Sequence, residues 1–271
     1  MPELPEVETV KNGITPAFMG NIIKSVILNR PNLRTPFPKN MKQDLERQKC
    51  INLRRRGKYI WIDFANNLTL VIHLGMSGSL TIDKTTQSPH DHVIFTTQND
   101  TTVTYNDPRR FGMMFFVETH KEHEHKAFFN MGPEPLGNDL NPPYLINKFK
   151  NKKSPIKTAL LDQSIIAGIG NIYACEALYR ANISPLKPSN EVTEEEITRL
   201  ITHIRDILNE AILSGGSSLR DHRQADGTLG YFQHTFDVYD REGETCKVTG
   251  EKIIRITQSG RSTFYCPEKQ L

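Results

Sequence analysis

The sequence predicts an α+β protein of two domains: an N-terminal β-sandwich with a flanking helix, then a C-terminal helix–two-turns–helix domain that ends in a β-hairpin. Short β-like runs separated by turn residues fill the first half. Helical periodicity with capping signals dominates from residue 154 onward. With 271 residues, 24% charged and 37% hydrophobic, the chain can bury two modest cores and is not of disordered composition.

The first half begins with a predicted helix over residues 5–19, because Pro5 suits a first helical turn and apolar residues recur on one face. Seven β-like runs follow, each bounded by turn residues. They are Ile22–Leu28, Cys50–Leu53, Tyr59–Phe64, Leu68–Leu74, His92–Thr96, Thr101–Tyr105 and Met113–Val117. We therefore assign residues 1–130 to the sandwich domain and the polar, turn-rich residues 131–153 to a linker.

The second half carries helix signals. Ser154 and Pro155 predict the start of a helix that runs to Gln163. A second helix is expected over Asn171–Arg180, and a third between a capping box at Thr193 and a stop at Gly215. Residues 154–234 form the predicted helix–two-turns–helix domain and 235–271 the hairpin. Its expected strands are Thr235–Tyr239, Ile253–Thr257 and Thr263–Tyr265.

Basic residues cluster although the net charge is only +3. The three runs are Arg54, Arg55, Arg56 and Lys58; Lys148, Lys150, Lys152, Lys153 and Lys157; and Arg109 with Arg110. Localised positive charge of this kind suits a phosphate backbone, so we expect a nucleic-acid partner.

Membrane and secreted classes are not supported by the sequence. No apolar stretch approaches the roughly 20 residues of a membrane span, and no signal segment opens the chain. Four cysteines in a chain of this length are typical of a reduced cytosolic protein. We expect a cytoplasmic, nucleoid-associated monomer.

The N-terminus offers a candidate nucleophile. Removal of Met1 would make Pro2 the terminal residue and its nitrogen a secondary amine. Because an α-amine titrates near ~8, much of it is neutral at pH 7. A neutral amine can attack an electrophilic sugar carbon to form an iminium, and Glu3 beside it can move protons.

Ordered blocks along essentially the whole chain resemble the formamidopyrimidine-DNA glycosylase family. They are Pro2–Val10, Arg56–Tyr59, His73–Gly78, His90–His92, Asp107–Gly112, Gly132–Leu136, Gly168–Tyr173, Gly215–Arg220 and Gly260–Thr263. The resemblance implies removal of oxidised purines, 8-oxoguanine and formamidopyrimidines, from damaged double-stranded DNA. It also implies strand cleavage by β- and δ-elimination.

The resemblance assigns catalytic roles to four positions. Pro2 is the nucleophile at the deoxyribose C1′, and Glu3 is the acid that helps to open the sugar. Lys58 donates a proton in β-elimination. Arg261 acts in δ-elimination and contacts phosphate.

The resemblance also implies DNA-binding positions. Met76, Arg109 and Phe111 match the residues that fill the void left by an extruded base; Met and Phe can wedge into a stack, and Arg can hydrogen-bond the orphaned base. His90, Arg109, Lys152, Lys157 and Asn171 match DNA contacts. The family's loop over the flipped purine is matched by Leu219–Gly230. This stretch includes Leu219, Arg220, Gly227 and Gly230. Glu6 and Glu176 match buried acids near the nucleophile.

The sequence departs from the family at its C-terminal zinc finger, which has C-x2-C-x16-C-x2-C spacing. Here Cys246 and Cys266 keep two positions, whereas Thr249 and Lys269 replace the other two cysteines. An ammonium cannot ligate zinc and a threonine hydroxyl is a poor ligand. We therefore expect no metal or other cofactor; partial zinc occupancy is the alternative.

Three other functions share part of the pattern. An endonuclease VIII-like enzyme for oxidised pyrimidines has the same Pro2, Glu3 and Lys58, but Met76, Arg109, Phe111 and the long loop favour purines. A catalytically inactive lesion-binding protein would retain Met1. A generic helix–two-turns–helix nucleic-acid-binding module would not need the Pro2, Glu3 and Lys58 combination.

Overall fold

A computed structural model describes residues 1–217, Ala225 and residues 230–271. The chain forms two compact units, each built from two stretches of sequence. Unit 1 comprises Met1–Phe129 and Ile212–Gln233, and unit 2 comprises Asn130–Ala211 and His234–Leu271. Within the described ranges, no helix has the length and apolar character needed to cross a bilayer.

Unit 1 contains two four-stranded antiparallel sheets. One has the strand order β1 (Ile23–Leu28), β6 (Asp91–Thr97), β7 (Thr102–Asn106) and β5 (Ser79–Ile82). The other has the order β2 (Cys50–Arg56), β3 (Tyr59–Phe64), β4 (Leu68–His73) and β8 (Met113–Glu118). Apolar side chains from both sheets share one core, which gives the predicted sandwich.

Helix α1 (Leu4–Phe18) flanks the sandwich and places the N-terminus beside it. Val7, Val10, Ile14 and Phe18 recur at helical spacing and are fully buried in the core of unit 1. A five-residue helix α2 (Met41–Leu45) packs against β1. The burial of one face thus fixes the direction in which α1 presents its first turn.

Unit 2 is helical and ends in a hairpin. Its helices are α3 (Pro142–Phe149), α4 (Ile156–Leu160), α5 (Asn171–Arg180) and α6 (Glu194–Leu213), the last of which runs two residues into unit 1. Strands β9 (Ile254–Gln258) and β10 (Arg261–Tyr265) pair antiparallel. The hairpin packs on α5, with which it shares a small core that includes Val238 and Phe264.

Three stretches differ from the predicted elements. Residues 131–153, interpreted as a linker, carry α3 and lie within unit 2. The helix expected from Ser154 to Gln163 is only α4, Ile156–Leu160. The predicted strand Thr235–Tyr239 is wrong: residues Phe232–Thr235 form a 3-10 turn, and the next backbone N–H groups bond to a carboxylate instead of a neighbouring strand.

Candidate active site

The first turn of α1 buries the candidate nucleophile and acid. Glu3 is the N-cap of the helix, and Glu6 at the third helical position accepts the Glu3 N–H at 2.9 Å in a reciprocal capping box. Glu3 is 3% exposed and Pro2 is buried behind Met1. The capping box therefore holds the backbone of residues 2 and 3 in one orientation.

Glu6 also ties the helix to a distant part of unit 1. The Ser217 N–H and the Ser217 hydroxyl both donate to Glu6 Oε1 at 2.9 Å. Gly216 has φ of +77°, and a Cβ there would lie 3.2 Å from the Glu6 side chain. Gly230 packs still more closely, because a Cβ there would meet the Gly216 carbonyl oxygen at 2.2 Å. Gly216 and Ser217, which precede the predicted lesion loop, therefore contact α1 through Glu6, and Gly230 at the end of the loop packs on Gly216.

Most of that predicted loop is not part of the described structure. Leu219, Arg220 and Gly227 fall outside the described residues. Ala225 is described and buried; its carbonyl accepts the Ile82 N–H at 2.9 Å.

A cavity of about 650 Å³ opens beside the N-terminus of unit 1. Its lining residues are Met1, Leu33, Arg34, His73, Gly75, Met76, Arg109, Arg110 and Phe111. Met76 and Phe111 are 40% and 43% exposed although both are large and apolar. The Arg109 guanidinium carbon lies 5.0 Å from the centre of the Phe111 ring. The three residues expected to fill a vacated base position therefore meet in one cavity, next to Met1.

A buried carboxylate holds the two loops that carry these residues. Asp107 is fully buried and accepts the Ser77 hydroxyl at 2.6 Å and the Gly112 N–H at 2.9 Å. The Ser77 oxygen in turn accepts the Arg109 N–H at 3.1 Å. Gly75, at φ +66°, allows backbone contact between the loops, because a Cβ there would lie 2.4 Å from the Phe111 carbonyl carbon.

His73 lines the cavity and is near enough to Lys58 for the charge of the lysine to act on its imidazole. Its Nδ1 accepts the Gly75 N–H at 3.0 Å, which assigns the ring proton to Nε2 in the neutral form. Burial, together with the positive charges of Lys58 and Arg34, lowers the pKa of His73 to about 4. A neutral imidazole therefore supports the turn that presents Met76, while Lys58 is 8% exposed beside it.

His90 belongs to the same region of unit 1. The side chain is exposed, and the His90 carbonyl accepts the Asp107 N–H at 3.0 Å. The Asp107 carbonyl is also bonded to the His92 ring at 2.9 Å. Unit 1 thus brings Met76, Arg109, Phe111 and His90 around one buried acid.

In unit 2, three predicted site residues meet at the hairpin. Lys157 is fully buried, and its ammonium donates to Asn171 Oδ1 at 2.5 Å and to the Ser262 carbonyl at 3.3 Å. Asn171 Nδ2 donates to the same carbonyl at 2.8 Å. Arg261, the residue before Ser262, is exposed at the start of β10. The Ser262 carbonyl therefore joins the start of α5 to the backbone that carries Arg261.

Lys152 and Glu176 make different contacts within unit 2. Lys152 is partly exposed and lies 3.5 Å from the Asp162 carboxylate. Glu176 is fully buried and accepts the N–H groups of Asp237, Val238 and Tyr239 at 2.7–2.9 Å. Burial raises the pKa of Glu176, and these three hydrogen bonds oppose the rise.

The donor set at the four degenerate finger positions does not fit zinc. Cys246 and Cys266 offer thiols, whereas Thr249 offers a hydroxyl and Lys269 an ammonium, and a structural zinc site needs four thiolate or imidazole ligands. Across residues 1–217, Ala225 and 230–271, no group of three or more His, Cys, Asp or Glu side chains could hold a metal ion.

Arg34, His73 and Arg110 also line the cavity, although the sequence does not identify them as site residues. Arg34 lies in an irregular segment where no periodicity marks it. His73 lies in the block His73–Gly78, which gives it no role of its own. Arg110 belongs to a basic run, and its φ of +58° is unusual for a residue other than glycine.

Two family models match the sequence. Residues 1–114 match the formamidopyrimidine-DNA glycosylase N-terminal domain. Residues 131–223 match the formamidopyrimidine-DNA glycosylase H2TH domain. Together the two matches cover most of the chain.

The chain is also similar to whole proteins over nearly its full length. A Ruegeria pomeroyi protein called formamidopyrimidine-DNA glycosylase is 51% identical over 282 aligned positions, with 100% of both chains covered. The wild-type Lactococcus lactis Fpg (MutM), solved with N7-benzyl-Fapy-dG containing DNA, is 33% identical with a TM-score of 0.91 and 99% of each chain covered. A MutM structure in complex with carbocyclic 8-oxo-G containing DNA is 33% identical with a TM-score of 0.90 and 99% of each chain covered.

Proposed function

This chain belongs to the formamidopyrimidine-DNA glycosylase family, and from that premise we propose that it excises oxidised purines, such as 8-oxoguanine and formamidopyrimidines, from duplex DNA. It is a base-excision-repair glycosylase that binds damaged DNA. The observation that supports this most directly is the cavity beside the N-terminus, where Met76, Arg109 and Phe111 meet. An enzyme that acts on a base inside a helix must extrude the base and fill the space it leaves.

The proposed nucleophile is the Pro2 amine, released when Met1 is removed. Its lone pair attacks C1′ of the damaged nucleoside, the C1′–N9 bond breaks, and the oxidised base leaves with the bonding electrons. Glu3, buried at the N-cap of α1, moves the proton that opens the deoxyribose ring. Loss of the ring oxygen from C1′ leaves an iminium between Pro2 and the sugar.

We further propose that the same protein acts as a lyase on the resulting abasic site. The iminium acidifies C2′, so loss of a C2′ proton expels the 3′ phosphate by β-elimination. Lys58, 8% exposed and close to His73, is the proposed proton donor in this step. Arg261, exposed at the start of β10, contacts the phosphate that leaves in δ-elimination.

The remaining proposed roles concern DNA binding. His90 and Arg109 are exposed and can reach phosphate or base edges directly. Lys152 is partly exposed and can contact phosphate, whereas buried Lys157 acts through Asn171 and the Ser262 carbonyl. At the mouth of the cavity Arg109 hydrogen-bonds the orphaned base, and Met76 and Phe111 wedge into the stack.

Borohydride trapping tests the proposed chemistry. The protein is incubated with a duplex that contains one 8-oxoguanine, and borohydride reduces any iminium to a stable amine. Peptide mass analysis is expected to find the DNA remnant on the peptide that begins at Pro2. A remnant on a lysine side chain would contradict the assignment of the nucleophile.

Matched variants separate the two activities. Glu3→Gln should lose trapping on 8-oxoguanine DNA but keep it on a preformed abasic site, because an abasic sugar equilibrates with an open aldehyde that can react with the Pro2 amine without a proton from Glu3. Glu124→Gln makes the same chemical change at an exposed site and should trap on both. Cleavage of oxidised pyrimidines with no action on 8-oxoguanine would instead favour the endonuclease VIII-like function.

A further inference from the structure

The C-terminal knuckle, defined here as Cys246, Thr249, Cys266 and Lys269, is ordered without a set of metal ligands. The Cys246 sulfur lies 3.2 Å from the Tyr179 hydroxyl, and the Cys266 sulfur lies 3.3 Å from the Thr249 hydroxyl. Both cysteines are buried in the small core of unit 2. Each thiol thus has a hydroxyl partner.

The backbone of the knuckle forms two closed turns. In the first, the Gly250 N–H donates to the Cys246 carbonyl at 3.0 Å, and the Cys246 N–H donates to the Glu251 carbonyl at 2.7 Å. In the second, the N–H groups of Lys269 and Gln270 both donate to the Cys266 carbonyl. In a zinc finger, the bound ion joins two such turns. In this chain, contacts between protein groups must join them.

Lys269 makes the contacts that join the knuckle to the helix behind it. Its ammonium donates to the Tyr179 carbonyl at 2.7 Å and to Asn182 Oδ1, and it lies 4.2 Å from the centre of the Tyr179 ring. The Tyr179 carbonyl is near the C-terminal end of α5, where a cation is favourable. The hydroxyl of the same tyrosine contacts Cys246.

The Lys269 ammonium lies in a partly buried, polar environment. Burial lowers the pKa of Lys269, and the nearby Asp237, Cys246 and Cys266 side chains oppose that decrease. Its hydrogen bonds to the Tyr179 carbonyl and to Asn182 hold the ammonium in place.

We propose that the Lys269 ammonium takes the structural place of a metal ion in this chain: it joins the second knuckle turn to α5 and to Tyr179, which holds the first turn through Cys246. The two thiols bind no metal, and hydrogen bonds around Lys269 hold the knuckle together.

The knuckle can position the hairpin, because Cys266 directly follows β10. The Cys266 N–H donates to Gln270 Oε1 at 3.0 Å, and Gln270 Nε2 donates to the Ile183 carbonyl at 2.9 Å. Gln270 therefore anchors the residue that follows the strand carrying Arg261, and Lys269 lies in the same turn.

Cobalt spectroscopy on the wild-type chain tests the proposal without any variant. Cobalt bound by thiolates gives intense sulfur-to-metal absorption bands. We expect none when cobalt is titrated into the wild-type protein, and no change in its melting temperature after treatment with a chelator. Thiolate bands at one equivalent of cobalt, or a loss of stability on chelation, would overturn the proposal.

Variants test the contribution of the lysine. Lys269→Met should lower the melting temperature by about 5 °C or more, since charged hydrogen bonds are lost, whereas Lys269→Arg should keep part of that stability. Equal melting temperatures for the wild type and Lys269→Met would contradict the proposal.

A variant with all four cysteines restored tests whether Lys269 takes the place of a metal ion or only adds packing contacts. The double variant Thr249→Cys with Lys269→Cys should be less stable than the wild type in chelator, and zinc should restore its melting temperature. Cobalt should give thiolate bands in this variant and none in Lys269→Met. Failure of zinc to stabilise the double variant would show that the knuckle does not have the geometry of a metal site and would overturn the proposal.

Discussion

At the scale of single residues, buried carboxylates fasten the loops of both units. Glu6, Asp107 and Glu176 are each at most 2% exposed, and each accepts backbone N–H groups. A buried carboxylate without such donors would cost several kcal/mol, so each acid requires its loop to be in place. These residues therefore stabilise the site without being proposed to react.

A pH-dependent loss of stability is expected from His73. Its pKa lies at about 4 in the folded chain and near 6.5 when unfolded, so the unfolded chain binds the proton first as the pH falls. The free energy of unfolding should therefore decrease as the pH falls from 6.5 to about 4. At about 1.4 kcal/mol per pKa unit, the decrease from this residue is roughly 3 kcal/mol.

Urea denaturation at several pH values measures this effect. The variant His73→Gln keeps an acceptor for the Gly75 N–H but cannot be protonated in this range, so its unfolding free energy should change less with pH. The same pH dependence in the variant and the wild type would show that other groups are responsible.

The sequence suggests a nucleophile by its chemistry only at Pro2, because removal of Met1 would leave a secondary amine beside Glu3. The void-filling roles of Met76, Arg109 and Phe111 come from the family resemblance. These roles stay predictions, although the structure places the three side chains in one cavity. His73 and Arg34 were not predictable, because their importance comes from neighbours that only folding brings near. The burial of Lys157 was also not predictable, because a lysine in a basic run is expected to be exposed.

At the scale of elements, an ion pair joins α1 to the turn that carries Lys58. The Glu8 carboxylate on α1 lies 2.8 Å from Arg55 Nε on β2. Arg55 Nη1 donates to the Gly57 carbonyl at 2.9 Å, one residue before Lys58. Only a planar, forked guanidinium can reach both oxygens in this way.

Loss of Arg55 should therefore disturb both stability and β-elimination. Arg55→Met leaves the partly buried Glu8 carboxylate without this partner and should lower the free energy of unfolding by up to about 3 kcal/mol. Arg55→Lys keeps the charge but not the fork, so an intermediate loss is expected. Urea denaturation gives the stability, and single-turnover cleavage of an abasic duplex gives the rate of elimination. An unchanged elimination rate in a folded Arg55→Met protein would show that Arg55 does not position Lys58.

Element prediction succeeded where periodicity was strong and failed where a contact from elsewhere decided the conformation. Seven of the eight sandwich strands and helices α1, α5 and α6 match predicted patterns. The strand predicted at Thr235–Tyr239 has suitable residues, but Glu176 binds the N–H groups a sheet would use. Helix α3 and strand β5 were missed because each is short.

At the scale of the whole molecule, several residues of the three basic runs are paired with carboxylates or buried in the folded chain. Arg54 binds Asp63 and Glu122, Arg55 binds Glu8, and Lys157 is buried. The residues of the three basic runs that remain exposed are Arg109, Arg110, Lys148, Lys150 and Lys153.

DNA affinity should thus depend on salt, but less steeply than the sequence suggests. Each neutralised phosphate contributes about −0.9 to the slope of log affinity against log salt. Contacts from the exposed residues predict a slope of roughly −4 to −5, whereas all residues of the three runs would give roughly −10. Binding titrations with lesion-containing duplex at a series of potassium chloride concentrations measure this slope. A slope near zero would exclude phosphate contacts as the main source of affinity.

The backbone contact at Gly75 has a consequence for the order of events on DNA. The loops of Met76 and Phe111 approach each other closely at Gly75 and share the buried Asp107 carboxylate. A displacement of one loop would therefore strain the other. If the two side chains act as the wedges proposed above, we expect them to enter the base stack together.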